Sequence, residues 1–494
     1  MSAFKEFVSH STHYFAGQFL ILLAGFLSMP LMTRFLTKEE YGLMSLVFVT
    51  LSWLGTIARL GFAQSTTRFY AEYKKKGSAP LQGFCSNILF GTILSGTVVV
   101  SGAILASYLL ERNNSFSNFA YYLRIAAVIV LFRITVGVLQ EIYRAEKSHF
   151  LYNLISIGER YGSLFCSIFL LYLYRNITSV FLGTIIAEGI VMVIFSIHLF
   201  LDKKIGLVGI SREILSEANK YGIPLVLVGS SAVILDSGDR YVIQYFLNSE
   251  AVANYSVAYD ASNFLGTFIL TPIRLAIVPI LFSLWVNQGE EATAAFTAKA
   301  LRYIFSLIIP TIFGFSLLGR EIITLMASSK YTESSELIPY VVSGILIGGI
   351  NFILSSGLRT QKRTAILAWM TLASGALNVF LNFIFVPYYG IKSSAIITLV
   401  TYLLHTVVSY KISSKYLVIK VDFKAILKSI CASVAMVSLI LALGDFSQNV
   451  FVSLVVKVLI GIFSYTTMLL TIDRELRESL LSSLRDKKLS FISL

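Results

Sequence analysis

The chain has 494 residues, 56% of them hydrophobic and only 14% charged, with a net charge of +13. A mean hydropathy of +0.76, spread over the whole length, excludes a string of soluble domains and points to a polytopic helical membrane protein. The positive balance does not indicate nucleic acid, because the basic residues sit in short loops between apolar runs, where they orient helices.

Crossing a bilayer takes about 20 apolar residues at 1.5 Å each. About 14 segments meet that length. The first six lie near 12–35, 44–65, 81–110, 119–140, 151–174 and 178–201. The next six lie near 219–247, 253–285, 299–326, 337–358, 364–387 and 391–411, and a last pair near 425–444 and 450–472. Met1 to His13 has a lone basic residue, Lys5, and no small-residue cleavage site follows the apolar run, so it does not read as a signal peptide and the first span is expected to be retained. Pro30, Pro272, Pro279 and Pro310 fall well inside spans and predict kinks. Ile210 to Asn219 reads as an interfacial amphipathic helix with Ser211 as its N-cap. The tail from Arg474 reads as a helix lying on a leaflet.

The loops alternate in charge. One set holds Lys74 to Lys76, Arg144, Lys147, Lys203, Lys204, Arg359, Lys362, Arg363 and Lys411 to Lys424; the other is short and poor in Lys and Arg. The positive-inside rule then places both termini in the cytoplasm. Phe35-Leu36-Thr-Lys-Glu39 closes the first span and Phe246-Leu247-Asn-Ser-Glu250 the seventh, at an offset of 211 residues. This predicts a parallel repeat. The expected all-α architecture is two six-helix lobes related by a pseudo-two-fold, 1–210 and 211–416, with two further transmembrane helices over 417–472 and a cytoplasmic tail over 473–494.

Charge inside the spans marks candidate function. Arg59 shares a face with Ser52 and Thr56 in span two and has no acid within a turn, which favours a cavity. Arg133 in span four, Glu159 and Arg160 in span five and Glu188 in span six can neutralise one another or line a cavity. The stretch Lys220 to Leu284 carries most of the rest. Asp236, Arg240 and Gln244 recur every four residues as one stripe, with Asp239 beside it, and Asp236 to Arg240 has the favoured order for an intrahelical pair. Asp260, Asn263, Thr267, Thr271 and Arg274 form a second stripe, with no acid near Arg274. Buried arginines facing a cleft suit an anion, a diphosphate above all, because guanidinium binds phosphate oxygens bidentately and keeps its charge.

No enzyme is indicated. The chain lacks a GxxxxGK[ST] loop and a nucleophile, histidine and acid set. Its five histidines form no HxxxH or HExxH pattern, and Cys85, Cys166 and Cys431 have no metal-ligand spacing and read as buried small hydrophobes. No cofactor or metal is expected.

Tyr221-Gly-Ile-Pro-Leu225, Phe35-Leu-Thr-Lys-Glu-Glu-Tyr-Gly42 and Asn378-Val-Phe-Leu-Asn382 followed by Pro387-Tyr-Tyr-Gly390-Ile resemble the polysaccharide-transporter branch of the multidrug/oligosaccharidyl-lipid/polysaccharide exporter superfamily. Where that branch usually has Gly-Ala-Ala after the last turn, this chain has Ser393-Ser394-Ala395. The resemblance implies a Wzx-type flippase that moves undecaprenyl-diphosphate-linked oligosaccharide across the bacterial inner membrane by alternating access, for O-antigen, capsule or exopolysaccharide synthesis. It implies membrane lipid and polymerase or chain-length proteins as partners. In related lipid II flippases cavity arginines hold the diphosphate; Arg59 and Arg274 best match them, with Arg133 and Arg240 as further candidates. The span-one arginines of those flippases are not matched, since Arg34 lies at a span end. The alternative within the superfamily is a cation-coupled drug or metabolite antiporter using Asp236, Asp239 and Asp260. A membrane glycosyltransferase or polymerase is disfavoured by basic-poor loops of about 5 to 10 residues.

Overall fold

The computed structural model describes residues 20–444 and 447–478. The described residues are helical and contain no strand. The chain opens with α1 (Leu20–Phe35), α2 (Lys38–Ala58), α3 (Phe62–Lys75) and α4 (Ser78–Leu110). A 3-10 turn (Asn114–Phe116) leads to α5 (Ser117–Ala126), α6 (Val128–Ala145), α7 (His149–Tyr174) and α8 (Thr178–Leu201). Then come α9 (Arg212–Ser237), α10 (Asp239–Phe246), α11 (Ser249–Leu317) and α12 (Gly319–Met326). The chain continues through α13 (Ile338–Gly349), α14 (Asn351–Leu354), α15 (Ser356–Thr360), α16 (Thr364–Ser413), α17 (Phe423–Leu443) and α18 (Val450–Ile472).

Among the described residues ten helical stretches are long and apolar enough to cross a membrane, with Lys38–Lys75 (α2 and α3) and Ser329–Leu354 each counted as one, and eleven if Asn114–Ala126 and Val128–Ala145, bent by 45°, count as one. Two of the ten are far longer than a span. α11 has 69 residues, about 100 Å against a hydrocarbon core of about 30 Å. It breaks at Gly289, with φ 82° and ψ −164°. α16 has 50 residues and breaks in the same way at Gly390, with φ 64°. Nothing lies within 4 Å of where a Cβ would sit at either position, so glycine is there for the backbone angle and not for space. Large apolar side chains point outward along these helices, such as Val98 and Leu105 on α4 and Phe165 and Tyr172 on α7, as lipid-facing surfaces require. Cys431 lies on such a face of α17 and is exposed, whereas Cys85 is buried; an apolar setting in a membrane helix is as often lipid as core.

Helix starts follow local chemistry. Thr37 and Glu40 form a capping box at α2: the Thr37 N–H donates to Glu40 Oε2 at 2.9 Å and the Glu40 N–H to Thr37 Oγ1 at 3.2 Å. Ser211 caps α9 as expected, accepting from the Ile214 N–H at 3.4 Å. The helix it starts is not a separate interfacial piece. It runs on through Pro224 to Ser237.

The residues divide into two compact units, one containing the chain up to Ser256 with Ala368–Ser394, the other Val257–Leu367 with the chain from Ala395. In the first, Phe62, Tyr70, Phe84, Ile88, Leu139 and Tyr143 form the core. Glu146 accepts from Tyr70 Oη at 2.7 Å and pairs with Lys204 Nζ at 2.6 Å. α2 ends at Arg59, and Leu60 (φ 43°) and Gly61 (φ 76°) turn the chain into α3. A Cβ at Gly61 would lie 2.0 Å from the Gly222 Cα, and one at Gly222 would lie 2.2 Å from the Leu60 carbonyl oxygen. A Cβ at Gly42 would lie 1.8 Å from the Ser249 carbonyl oxygen and 3.1 Å from the Ala253 nitrogen. Three residues further on, Ser45 Oγ donates to Ser256 Oγ at 2.9 Å, across a separation of 211 residues. Gly42 and Ala253 share that separation, so α2 and the start of α11 cross at repeat-equivalent positions.

In the second unit α17 and α18 pack through Ala432, Met436, Ile440, Tyr465 and Leu469. Tyr465 Oη donates to the Ser306 carbonyl at 2.6 Å. Arg302 joins α11 to the end of α18, holding Asp473 at 2.7 Å and also contacting Glu475 and, at 3.6 Å, Asp422. Lys457 on α18 pairs with Glu321 on α12 at 3.0 Å.

Overpacking a tight backbone contact costs about 1–3 kcal/mol or more. Gly222→Ala is therefore expected to lower the yield of solubilised protein and bring its thermal transition down. Gly102→Ala, with nothing within 4 Å, should leave both unchanged. Equal behaviour of the two variants would show that the Gly61–Gly222 contact is not a fixed joint.

Candidate functional site

The first unit gathers charge from four helices inside otherwise apolar spans. Arg133 on α6 donates through Nη2 and Nε to Glu188 Oε1 on α8, at 2.6 and 3.1 Å. Glu188 is 2% exposed. Glu159 on α7 lies within electrostatic reach of Arg133, Arg160 and Arg59, and Gln140 on α6 donates to it at 3.3 Å. Arg59, at the break after α2, lies against Gly137 on α6: a Cβ there would be 4.0 Å from Nη2. At that distance a Cβ would make only an ordinary van der Waals contact with the guanidinium. The Arg59 Nε is buried with no hydrogen-bond partner among the described residues.

The charge count decides what this group can do. Arg59, Arg133 and Arg160 face Glu159 and Glu188. Glu141 lies further along α6 and already pairs with Arg144 at 3.2 Å and accepts from Thr67. The carboxylates leave one positive charge over; Arg160 is exposed, while Arg59 and Arg133 are half-buried. A buried donor without a partner and an excess of cation both favour an anionic ligand. Arg133 is the least available, because Glu188 holds two of its nitrogens. Sequence reasoning missed Gln140, although its place seven residues after Arg133 puts both on one face of α6.

The stripe on α9 and α10 is differently occupied. Asp236 is exposed, and Asp239 and Arg240 are buried at 1% and 4% exposure. Tyr255 Oη on α11 donates to Asp239 Oδ2. Arg240 donates from Nη1 to Ser237 Oγ at 3.4 Å. Gln244 donates to the Ser115 carbonyl at 2.7 Å. On α16, Asn382 Nδ2 donates to Asn378 O and Oδ1 at 2.9 and 3.0 Å, both residues fully buried.

In the second unit Asp260 is half-buried on α11. Arg274, two turns beyond Thr267, is exposed, lies 5.4 Å over the Phe352 ring and makes no ion pair among the described residues. Its positive charge acts on Arg359, at the end of α15, whose Nε donates to Ser355 Oγ at 3.3 Å. Two guanidinium groups thus share one region with no acid paired to either among the described residues. The sequence places Arg359 among loop charges that set orientation, and nothing local in it marks a second role.

Removing one partner of a buried ion pair typically costs about 3–5 kcal/mol. Arg133→Ala, which strands Glu188, should therefore depress thermal stability in detergent strongly, and Glu188→Ala likewise. Replacing both with Met should recover most of the loss, as a double-mutant cycle would show. A double variant as unstable as the worse single one would mean that the pair is not a self-contained unit.

The model of a family described as polysaccharide biosynthesis protein matches residues 8–285. A probable low-salt glycan biosynthesis flippase, Agl15 of Haloferax volcanii, is 22% identical over 237 residues, 47% of this chain and 49% of the relative. The uncharacterized membrane protein MJ1068 of Methanocaldococcus jannaschii is 23% identical over 193 residues, 39% of this chain and 38% of the relative. The chain thus aligns with about half or less of the length of these relatives. Among solved structures, the lipid II flippase MurJ in an inward closed conformation superposes with a TM-score of 0.73 at 19% identity, covering 95% of this chain and 99% of MurJ. An inward-facing multidrug resistance transporter of the MATE family superposes at 0.65 and 15% identity, over 81% and 94%. These similarities establish the fold.

Proposed function

The chain belongs to the polysaccharide biosynthesis protein family, and from that premise we propose that it is a flippase for a lipid-diphosphate-linked oligosaccharide. The observation that carries the reading is the unbalanced positive charge around Arg59 within the spans, repeated at Arg274 and Arg359. A diphosphate brings two closely spaced phosphates, and guanidinium is the side chain that meets them bidentately without losing its proton. Arg59 offers a donor nothing else uses. Arg274, backed by Phe352, is held without being neutralised. Arg133 and Arg240 are supporting positions, the first already engaged by Glu188. Glu159, Arg160, Glu188, Asp236, Asp239 and Asp260 serve as ion-pair or coupling groups. The glycan flippase among the relatives agrees with this cargo.

The finer reading is an undecaprenyl-diphosphate-linked repeat unit crossing the bacterial inner membrane by alternating access, for surface polysaccharide such as O-antigen, capsule or exopolysaccharide. It takes fourteen crossings, with Gly289 and Gly390 each dividing one long helix, and both termini in the cytoplasm. Two six-helix lobes, 1–210 and 211–416, are related by the repeat, and the crossing of α2 with α11 at equivalent residues supports that relation. The protein then transports and does not catalyse, and polymerase and chain-length proteins are its natural partners. A second reading, a cation-coupled antiporter, is favoured by one feature: Asp239 is almost wholly buried within a span, and the MATE fold is shared.

Arg59→Ala and Arg274→Ala are each expected to abolish complementation of a strain deleted for the protein while leaving its membrane abundance unchanged. Lysine at either position should restore only part, because it keeps charge but not the fork. In the deletion strain, mass spectrometry of lipid extracts should show the lipid-linked oligosaccharide accumulating. Full activity of both alanine variants would refute the diphosphate assignment, and normal lipid intermediates would move the antiporter reading to the front.

A further inference from the structure

The arginine groups leave two cavities of the first unit unexplained. One is a polar chamber of about 350 Å³ where α2, α10 and α11 and the Asn114–Phe116 turn meet. Its lining is rich in acceptors. Glu39 and Glu250, repeat equivalents, both face it. Gln244 is 5% exposed; its amide nitrogen is committed to the Ser115 carbonyl, and its Oε1 is buried with no partner among the described residues. Asn118 reaches Glu39 at 3.5 Å, and Asn248 Oδ1 caps α11 through the Ala251 N–H at 2.9 Å. A buried acceptor without a donor carries a desolvation cost that a ligand hydroxyl would remove. The volume is far larger than a bare cation needs, and among the described residues no three of His, Cys, Asp and Glu come together. Acceptors in excess, in a chamber this size, fit a sugar ring, whose hydroxyls supply donors in every direction.

The second cavity is an apolar groove of about 540 Å³ between α9 and α16, lined by Ile234, Val379, Phe380, Phe383 and Ile384. The two are joined by aromatic rings. Phe383 lies 4.9 Å from Phe246 and 6.0 Å from Tyr245, and Tyr245 lies 6.4 Å from Phe116, next to Ser115 in the chamber wall. Groove, aromatic band and polar chamber follow one another in the order in which a bilayer passes from hydrocarbon through interface to water.

We infer that these cavities form one docking site for a lipid-linked glycan, with sugar in the Gln244 chamber and the hydrocarbon chain along the Phe383 groove. The choice of a polyprenyl-linked glycan over other glycolipids rests on the flippase reading. The site uses none of the arginines assigned to the diphosphate. It lies where the loops are poor in Lys and Arg, so under the proposed orientation cargo reaches it after crossing.

The test uses the full chain in phosphatidylcholine nanodiscs and the probe farnesyl β-N-acetylglucosaminide, which has an isoprenoid tail and a sugar but no phosphate. Saturable binding is expected, weakened at least tenfold by Gln244→Leu and by Phe383→Ala, with farnesyl diphosphate binding unchanged by Gln244→Leu. Arg274→Ala should show the reverse pattern. If Gln244→Leu does not fold, Glu250→Gln probes the same chamber. Three results would overturn the site: no saturable binding, binding indifferent to the chamber variants, or farnesol competing as well as the glycoside, which would make the groove a place for bulk lipid. Failure of the flippase reading looks different: reconstituted protein that binds the glycoside but does not translocate a lipid-linked glycan refutes the function and leaves a glycolipid site standing.

Discussion

An arginine inside an apolar span must be answered by something, because the bilayer offers no water to do it. In the first unit Glu188 answers Arg133 and Glu159 sits among the others, yet three arginines, the exposed Arg160 among them, meet two glutamates. The remainder cannot be removed by small rearrangements. Moving Glu159 toward Arg59 takes it from Arg160, and the excess stays. Such a cluster would be a poor device for stability, since buried pairs seldom repay their desolvation. It is a sound device for holding a group of opposite charge that comes and goes. Arg133, by staying on Glu188, limits how much positive charge an arriving diphosphate meets, and a carrier needs that limit because cargo bound too tightly does not leave.

The position of Arg59 depends on a contact made without side chains. Its helix stops where Leu60 and Gly61 turn, and the turn fits only because Gly222 presents bare backbone to it. The motif Tyr221-Gly-Ile-Pro-Leu225 thereby acquires a physical reason: its glycine is the floor on which the α2–α3 break rests. Gly42, from a second motif, does the same against Ser249. These contacts use close van der Waals approach, the means of helix association available where lipid is as apolar as leucine.

Much of this was legible in the sequence, and what was not has a common cause. Periodicity and hydropathy gave the all-α membrane class, and the resemblance carried by the three motifs gave the family. The connections at Gly289 and Gly390 fell between predicted spans. Arg133 in span four and Glu188 in span six are expected from the sequence to pair or to line a cavity, and they are bonded. The break at Gly61 was not visible, because its cause is a glycine far along the chain. Arg359 read as one more orienting charge, because a loop count cannot see that Arg274 lies nearby. Cys431 read as buried because apolar neighbours were equated with a core. The tail expected to be a helix from Arg474 lies mostly outside the described residues, which end at Glu478. Local pattern fixes what a segment is; which segments meet depends on contacts that no window contains.

The two kinds of site also divide the problem of an amphiphilic cargo by chemistry. Phosphate is an acceptor with negative charge, and the arginines are donors with positive charge. A sugar hydroxyl both donates and accepts, and the Gln244 chamber, chiefly a set of acceptors flanked by two carboxylates, uses its donor side. The chamber does not suit a diphosphate, because its carboxylates repel it. Misplacement is penalised there. With like charge opposing the wrong arrangement and complementary groups favouring the right one, the orientation of the cargo is set by repulsion as much as by attraction. A drug-like organic cation would be repelled by the arginines and would find its counter-charge instead at Asp239 or the chamber. For that reason the sign of the charge in the ligand that binds separates the flippase from the antiporter.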